Sequence, residues 1–203
     1  MIPLTMWIYP ESKPKLEITP GFLLLMAALL YLDEGAGLLP WAVLACALHE
    51  LGHMAASLSF GGRVGRLRLS AVGAELRLDY PRPLSYGREN LVLLAGPAVN
   101  LLLAVPAFAL GLRILAVSSV WIGAFNLLPI PPMDGGRLAE NLLGGCLGLP
   151  WTPTALAVIS AVLAGLLAGV GAIAAAVYGN VTLVLTAVWL LWCTLRAGRD
   201  LSG

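Results

Sequence analysis

An apolar run over about residues 38–60 does most to limit what this chain can become. It is long enough to cross a bilayer as a helix, which takes roughly 20 residues. Yet its second half carries Leu48-His49-Glu50-Leu51-Gly52-His53-Met54, and the chain has no histidines other than these two. Residues four apart share a helix face, so His49 and His53 can present two imidazoles to one metal ion. Glu50 follows directly, placed to reach a water on that ion without being a ligand. In this H-E-x-x-H spacing a metal acidifies and orients a water, and the glutamate takes its proton. The bland alternative is two satisfied helix histidines beside a solvated glutamate. It is disfavoured because all three lie where solvation is expensive.

Composition supports a membrane setting. Of 203 residues, 59% are hydrophobic and 11% charged, against about a quarter charged in soluble domains. The formal charge of +1 argues against a nucleic-acid partner, since no domain has a strong basic excess. Cys46, Cys146 and Cys193 lie far apart without C-x-x-C spacing, which argues against a disulfide framework or a cysteine zinc site. Cys46, three residues before His49, reads as packing. The first stretch holds Pro3, Pro10 and Pro14 and lacks a basic start, so no cleavable signal peptide is expected.

The expected fold class is an all-α polytopic membrane protein, with about six transmembrane helices and a small membrane-associated β-hairpin or sheet. Residues 1–20 read as an interfacial arm, with Trp7 and Tyr9 at headgroup level and Leu16 and Ile18 alternating with Glu17 and Thr19 like a short strand. Segment one covers about residues 18–32 and ends at Asp33-Glu34-Gly35; segment two, about 38–60, ends at Gly61-Gly62. Then Arg66 and Arg68 alternate with Leu67 and Leu69. After a turn near Gly73, Glu75, Arg77 and Asp79 alternate with Leu76, Leu78 and Tyr80. Period two across a glycine link predicts a β-hairpin over residues 63–80. It is either a solvated ribbon or a strand edge to which an extended peptide adds.

Segment three begins near Arg88 and includes Ala95-Gly96-Pro97-Ala98-Val99-Asn100. Gly-Pro inside a membrane helix frees a carbonyl and permits a kink, and Asn100 at depth needs a partner. Pro106 and Gly111-Leu112-Arg113 are expected to break the run before segment four, about residues 114–128. Residues 125–137 follow, with Pro129, Pro131 and Pro132 within four positions. Such a run cannot continue a regular helix and predicts extended backbone. Non-helical backbone at membrane depth is tolerated where it lines a wet cavity, so this segment is the expected wall of the active site. Asp134 is the obvious third oxygen ligand. It can equally cap a helix ahead of Gly135-Gly136-Arg137, and the two roles can coexist. Segments five (about 154–177) and six (about 181–195) join through Tyr178-Gly179-Asn180 and have no ionisable residue at depth. They read as scaffold, with Gly165, Gly169 and Gly171 suited to close packing.

With six spans, the ends and the second and fourth connections share one side. That side holds every lysine and arginine except Arg113, so it is expected to be cytoplasmic. His49, His53 and Asp134 then fall at one depth near that side.

These pieces in this order resemble the site-2 proteases, intramembrane zinc metalloproteases of peptidase family M50, and in particular the compact bacterial sporulation type. The resemblance rests on His49-Glu50-Leu51-Gly52-His53, Ala95-Gly96-Pro97, and Asn126-Leu127-Leu128-Pro129 running on to Met133-Asp134-Gly135-Gly136, and spans most of residues 15–140. It implies one Zn2+ per chain on His49, His53 and Asp134, water activation by Glu50, and substrate holding by Asn126. It also implies strand addition at the hairpin, which makes Leu67 and Leu69, with Pro129 and Pro132 of the wall, the expected substrate contacts. The sporulation-type enzymes carry a CBS domain after the last span, whereas this sequence stops at Gly203; no PDZ insertion is seen, and the interval from Gly96-Pro97 to Asn126 is short.

The reading is therefore a single transmembrane protease domain over residues 1–203, in a bacterial inner membrane, with both termini and the active site toward the cytoplasm. Its expected work is to cut a transmembrane or membrane-associated segment of a protein substrate, such as a sigma-factor precursor or an anti-sigma factor. The bilayer is a second partner, and a regulatory membrane protein and a homo-oligomer are both compatible with the reading. The rival is a non-hydrolytic membrane zinc carrier or sensor, which would not need Glu50 beside His49. A catalytically dead scaffold is disfavoured by the intact ligand and glutamate set.

Overall fold

The computed structural model describes residues 15–33, 36–70, 73–131, 133–147, 152–179 and 182–200. Its elements run β1 (Lys15–Ile18), α1 (Pro20–Leu32), α2 (Leu38–Ser59), β2 (Arg63–Ser70), β3 (Gly73–Asp79), α3 (Tyr86–Ala109), α4 (Arg113–Asn126), α5 (Asp134–Leu147), α6 (Thr152–Tyr178) and α7 (Thr182–Asp200). Trp7 and Tyr9 of the expected arm, Glu34 and Gly35, Pro132, and Asn180 lie outside the described residues.

Among the described residues, three helices are long and apolar enough to cross a membrane by length and composition: Leu38–Ser59, Tyr86–Ala109 and Thr152–Val177. Pro20–Tyr31 and Leu183–Thr194 are shorter apolar helices. Of the six expected spans, three meet these criteria among the described residues; α4, with 14 residues, is shorter than they require. Leu102, Val105, Phe108, Trp121 and Ile173 stand exposed on the helix surfaces. A water-facing domain rarely leaves so much large apolar surface bare, and lipid is the solvent that tolerates it. The protein is a membrane protein.

Helices α2, α3 and α4 pack against one another, α6 pairs with α7, and α5 touches both α3 and α6. Ala45, Ala107, Leu115 and Ala116 form one core cluster. Ile130, Met133, Ala164 and Leu190 form another, which seats the proline-rich segment against α6 and α7. A Cβ at Gly52 would lie 2.7 Å from the Ala95 carbonyl oxygen. The glycine between the two histidines thus lets α2 and α3 approach backbone to backbone beside the site.

The hairpin forms, and the residues before α1 join it as a third strand. The order is β1-β2-β3, with β1 parallel and β3 antiparallel to β2. The register slips by one between Val64 and Arg66, leaving Gly65 as a bulge. Without it, Val64 and Arg66 would point to the same face. The extra residue resets the phase, so that Arg63, Arg66 and Arg68 share one face and Val64, Leu67 and Leu69 the other. On the charged face Arg66 donates to Glu17 at 2.7 Å and thereby holds the Glu17 carboxyl below its ordinary range.

This topology places Leu67 and Leu69 away from a free strand edge. Both lie on β2, the central strand, and both pair with β1 and with β3. Their backbone is spent on the sheet, so a peptide cannot add there. Among the described residues the unpaired edges belong to β1 and β3.

Other differences are local. Segment one starts at Pro20 because residues 15–18 are strand, and the Thr19 hydroxyl caps the helix by accepting from the Phe22 amide at 3.3 Å. Pro106 does not end segment three. It sits inside α3, which runs on to Ala109 and turns at Gly111 with φ +79°. Proline removes a single helix donor, and membrane helices accommodate that loss. The proline-rich segment is not extended but folds as successive tight turns. Leu128 donates to the Phe125 carbonyl (3.1 Å), Ile130 to Leu128 (2.7 Å) and Met133 to Ile130 (2.9 Å). Helix α5 has no counterpart among the expected segments beyond Asp134 as a cap, because Arg137, Glu140 and four glycines interrupt any apolar run.

Candidate metal centre

Two elements bring the three donors together. His49 and His53 lie one turn apart on the buried face of α2, and Asp134 opens α5 directly after the proline-rich turns. The Asp134 Oδ2 lies 3.0 Å from His49 Nε2 and 3.1 Å from His53 Nε2, and the two Nε2 atoms are 3.1 Å apart. Donors about 2.0–2.1 Å from a tetrahedral zinc stand roughly 3.3 Å from one another. The observed triangle is close to that spacing, and these three residues form a group able to hold one ion.

The hydrogen-bond chemistry points the same way. His53 Nδ1–H donates to the Val92 carbonyl at 2.7 Å, and a carbonyl can only accept. In the neutral ring Nε2 then carries a lone pair, aimed at the Asp134 carboxylate. Acceptor facing acceptor in a buried site is unfavourable unless a metal ion, or a proton on Nε2, lies between them.

The glycines around the site are explained by what a methyl group would strike. At Gly96 a Cβ would collide with His53 Nε2 and lie 2.7 Å from both neighbouring ring carbons. At Gly135 it would collide with the Leu127 carbonyl, and at Gly136 it would lie 2.6 Å from the Ile130 carbonyl carbon. Asp134 therefore reaches the histidines because the two residues after it allow α5 to start hard against the turn. Gly96→Ala should strip most of the bound metal, although alanine is favoured over glycine in a helix by about 1 kcal/mol. Metal content per purified chain is the measurement; a full complement would mean the His53 ring has room to spare.

Glu50 is half-buried and lies within electrostatic range of His49, His53 and Asp134. Among the described residues, the remaining sequence candidates do not join the donors. Asn126 Nδ2 donates to the Ile122 carbonyl of its own helix at 2.9 Å. The Pro129 carbonyl accepts from Ser160 at 3.2 Å, which ties the turn to α6. Leu67 and Leu69 lie in the sheet. Two partners of the site escaped the sequence reading. Val92 acts through its backbone and leaves no side-chain signal. Asn100, noted as needing a partner, has its amide 3.4 Å from His49 Nδ1.

Comparison with known proteins gives the same picture. The profile of peptidase family M50 matches residues 111–170. A zinc metalloprotease of Methanocaldococcus jannaschii is 25% identical over 146 residues, covering 63% of this chain and 42% of its own. Stage IV sporulation protein FB of Bacillus subtilis is 32% identical over 135 residues, covering 61% and 46%. The chain thus spans less than half the length of these two relatives. The solved structure of a site-2 protease from Methanocaldococcus jannaschii superposes with a TM-score of 0.66 at 22% identity, covering 90% of each chain. The chain shares the fold of that site-2 protease, and its matched stretches resemble peptidase family M50 and its zinc metalloprotease relatives.

Proposed function

We propose that the protein is an intramembrane zinc endopeptidase that cuts a transmembrane or membrane-associated segment of a protein substrate. The observation that carries this reading is the convergence of His49, His53 and Asp134 within 3.1 Å of one another beside Glu50, on a helix able to cross a membrane. Three protein donors leave one position open, as a catalytic site requires. Zinc bound there would supply Lewis acidity toward the scissile carbonyl and toward a water. Glu50 takes the proton of that water and returns it to the leaving amine. Val92 holds the His53 ring with Nε2 turned inward, so the geometry is set before substrate arrives.

A substrate helix shields its own peptide bonds and must unwind locally before attack. In this reading the unwound stretch adds to an unpaired edge of β1 or β3, with main-chain hydrogen bonds supplying affinity. Asn126 and Pro129, with Pro132 carried over from the sequence, are proposed as substrate contacts of the wall, and Leu67 and Leu69 as contacts through side chains on the apolar sheet face, not through their backbone. On the six-span reading of the sequence, the excess of lysine and arginine on one side supports an orientation of the site toward the cytoplasm of a bacterial inner membrane. Regulatory membrane proteins, including sigma-factor precursors and anti-sigma factors, are the substrate class this reading favours.

The test is cleavage of a fluorogenic transmembrane peptide by the purified chain in proteoliposomes. Activity should vanish with a zinc chelator and return on adding Zn2+. Zinc retention without any cleavage across a panel of such peptides would favour the carrier or sensor instead.

A further inference from the structure

Asn100 is fully buried on α3 and has no part in the mechanism above. Its amide nitrogen lies 3.4 Å from His49 Nδ1, while its Oδ1 meets no donor among the described residues. The two ends of an amide fill nearly the same space, so exchanging them preserves the packing and changes every bond. With nitrogen toward the ring, Nδ1 must accept, the ring proton sits on Nε2, and Nε2–H donates to Asp134. That arrangement leaves the buried Oδ1 without a donor. With oxygen toward the ring, Nδ1–H donates to Oδ1, the orphan is satisfied, and the Nε2 lone pair faces the other two donors. We infer that Asn100 is a positioning residue that accepts from His49 Nδ1–H and holds this ring in the tautomer that ligates a divalent cation.

The pairing completes a symmetry of function. His53 has a backbone carbonyl as its acceptor, and His49 has a side-chain one. Ligating imidazoles depend on such acceptors, whose loss typically costs about 10–100-fold in metal affinity. The inference rests on the reading of His49, His53 and Asp134 as a metal site.

The experiment uses the full chain in detergent micelles, labelled with 15N-histidine, and Zn2+ titrated against a competing chelator. With two histidines in the chain, the four ring nitrogens can be followed individually. In the zinc-loaded protein both Nδ1 atoms should carry slowly exchanging protons. Asn100→Leu, of similar volume but unable to accept, should lose about 10–100-fold in zinc affinity and expose the His49 Nδ1 proton to fast exchange, with the His53 signals unmoved. Asn100→Asp keeps an acceptor and should match or exceed the parent. Wild-type affinity in Asn100→Leu, an Asn100→Asp protein as weak as the leucine variant, or an unprotonated His49 Nδ1 in the zinc-loaded parent would each overturn the inference. If the leucine variant does not fold, the aspartate variant and the parent spectrum decide. A parent that takes up no Zn2+ would remove the metal reading and this inference together; a parent that binds zinc regardless of residue 100 removes this inference alone.

Discussion

Glu50→Gln should lower peptide cleavage by roughly 10²–10⁴-fold, the usual share of a positioned general base, while zinc content per chain stays at the parental level. Glutamine preserves the length and shape of the side chain, so the packing of α2 and its histidines is undisturbed. What it removes is the capacity to accept and return a proton. The pairing of the two readouts is what makes the substitution informative. A combined loss of zinc and activity would mean that Glu50 supports the metal site structurally. Full activity in the glutamine protein would refute the assignment of the base. Cleavage rate and metal stoichiometry measured on the same preparation separate these outcomes.

Asp134→Asn should weaken zinc binding by about 10²–10³-fold. Zinc held by a complete protein set is worth about 10–16 kcal/mol, so one charged donor among four positions contributes roughly 3–4 kcal/mol, and each 1.4 kcal/mol is a factor of ten. The substitution also separates the two roles the sequence left open for Asp134. An acidic residue in the first turn of a helix contributes about 0.3–1 kcal/mol through the helix dipole. A residue acting only there would lose that stability and keep its zinc. Equilibrium competition with a chelator, beside a melting curve, gives both numbers. Intact zinc affinity would take Asp134 out of the site, although it lies 3.0–3.1 Å from both histidines.

Much of the architecture was legible because its causes are local. The spacing of His49 and His53 follows from helix periodicity within a single turn. The alternation of Arg66 and Arg68 with Leu67 and Leu69 follows from the pleat of one strand. The apolar runs of α2, α3 and α6 state their solvent by composition. Asp134 could be named as a third ligand because a proline-rich break placed an acid where helix resumes. Elements without a local signature were missed or misjudged. Helix α5 has too many glycines and charges to show an apolar run. Pro106 looked like a stop because single-residue propensity takes no account of the helices packed around it.

What the sequence determined by itself is the chemistry on offer: two imidazoles, a carboxylate beside them, and a second carboxylate ahead of two glycines. Tertiary structure alone decided how they meet. Asp134 lies 81 positions from His53, and Val92 lies 39 from it, distances over which no pattern of neighbouring residues specifies contact. The same holds for β2, which any hairpin reading leaves with a free edge until β1 closes it. Gly96 and Gly52 likewise have meaning only once another helix lies against them, because a missing methyl group is a property of the space it would have filled.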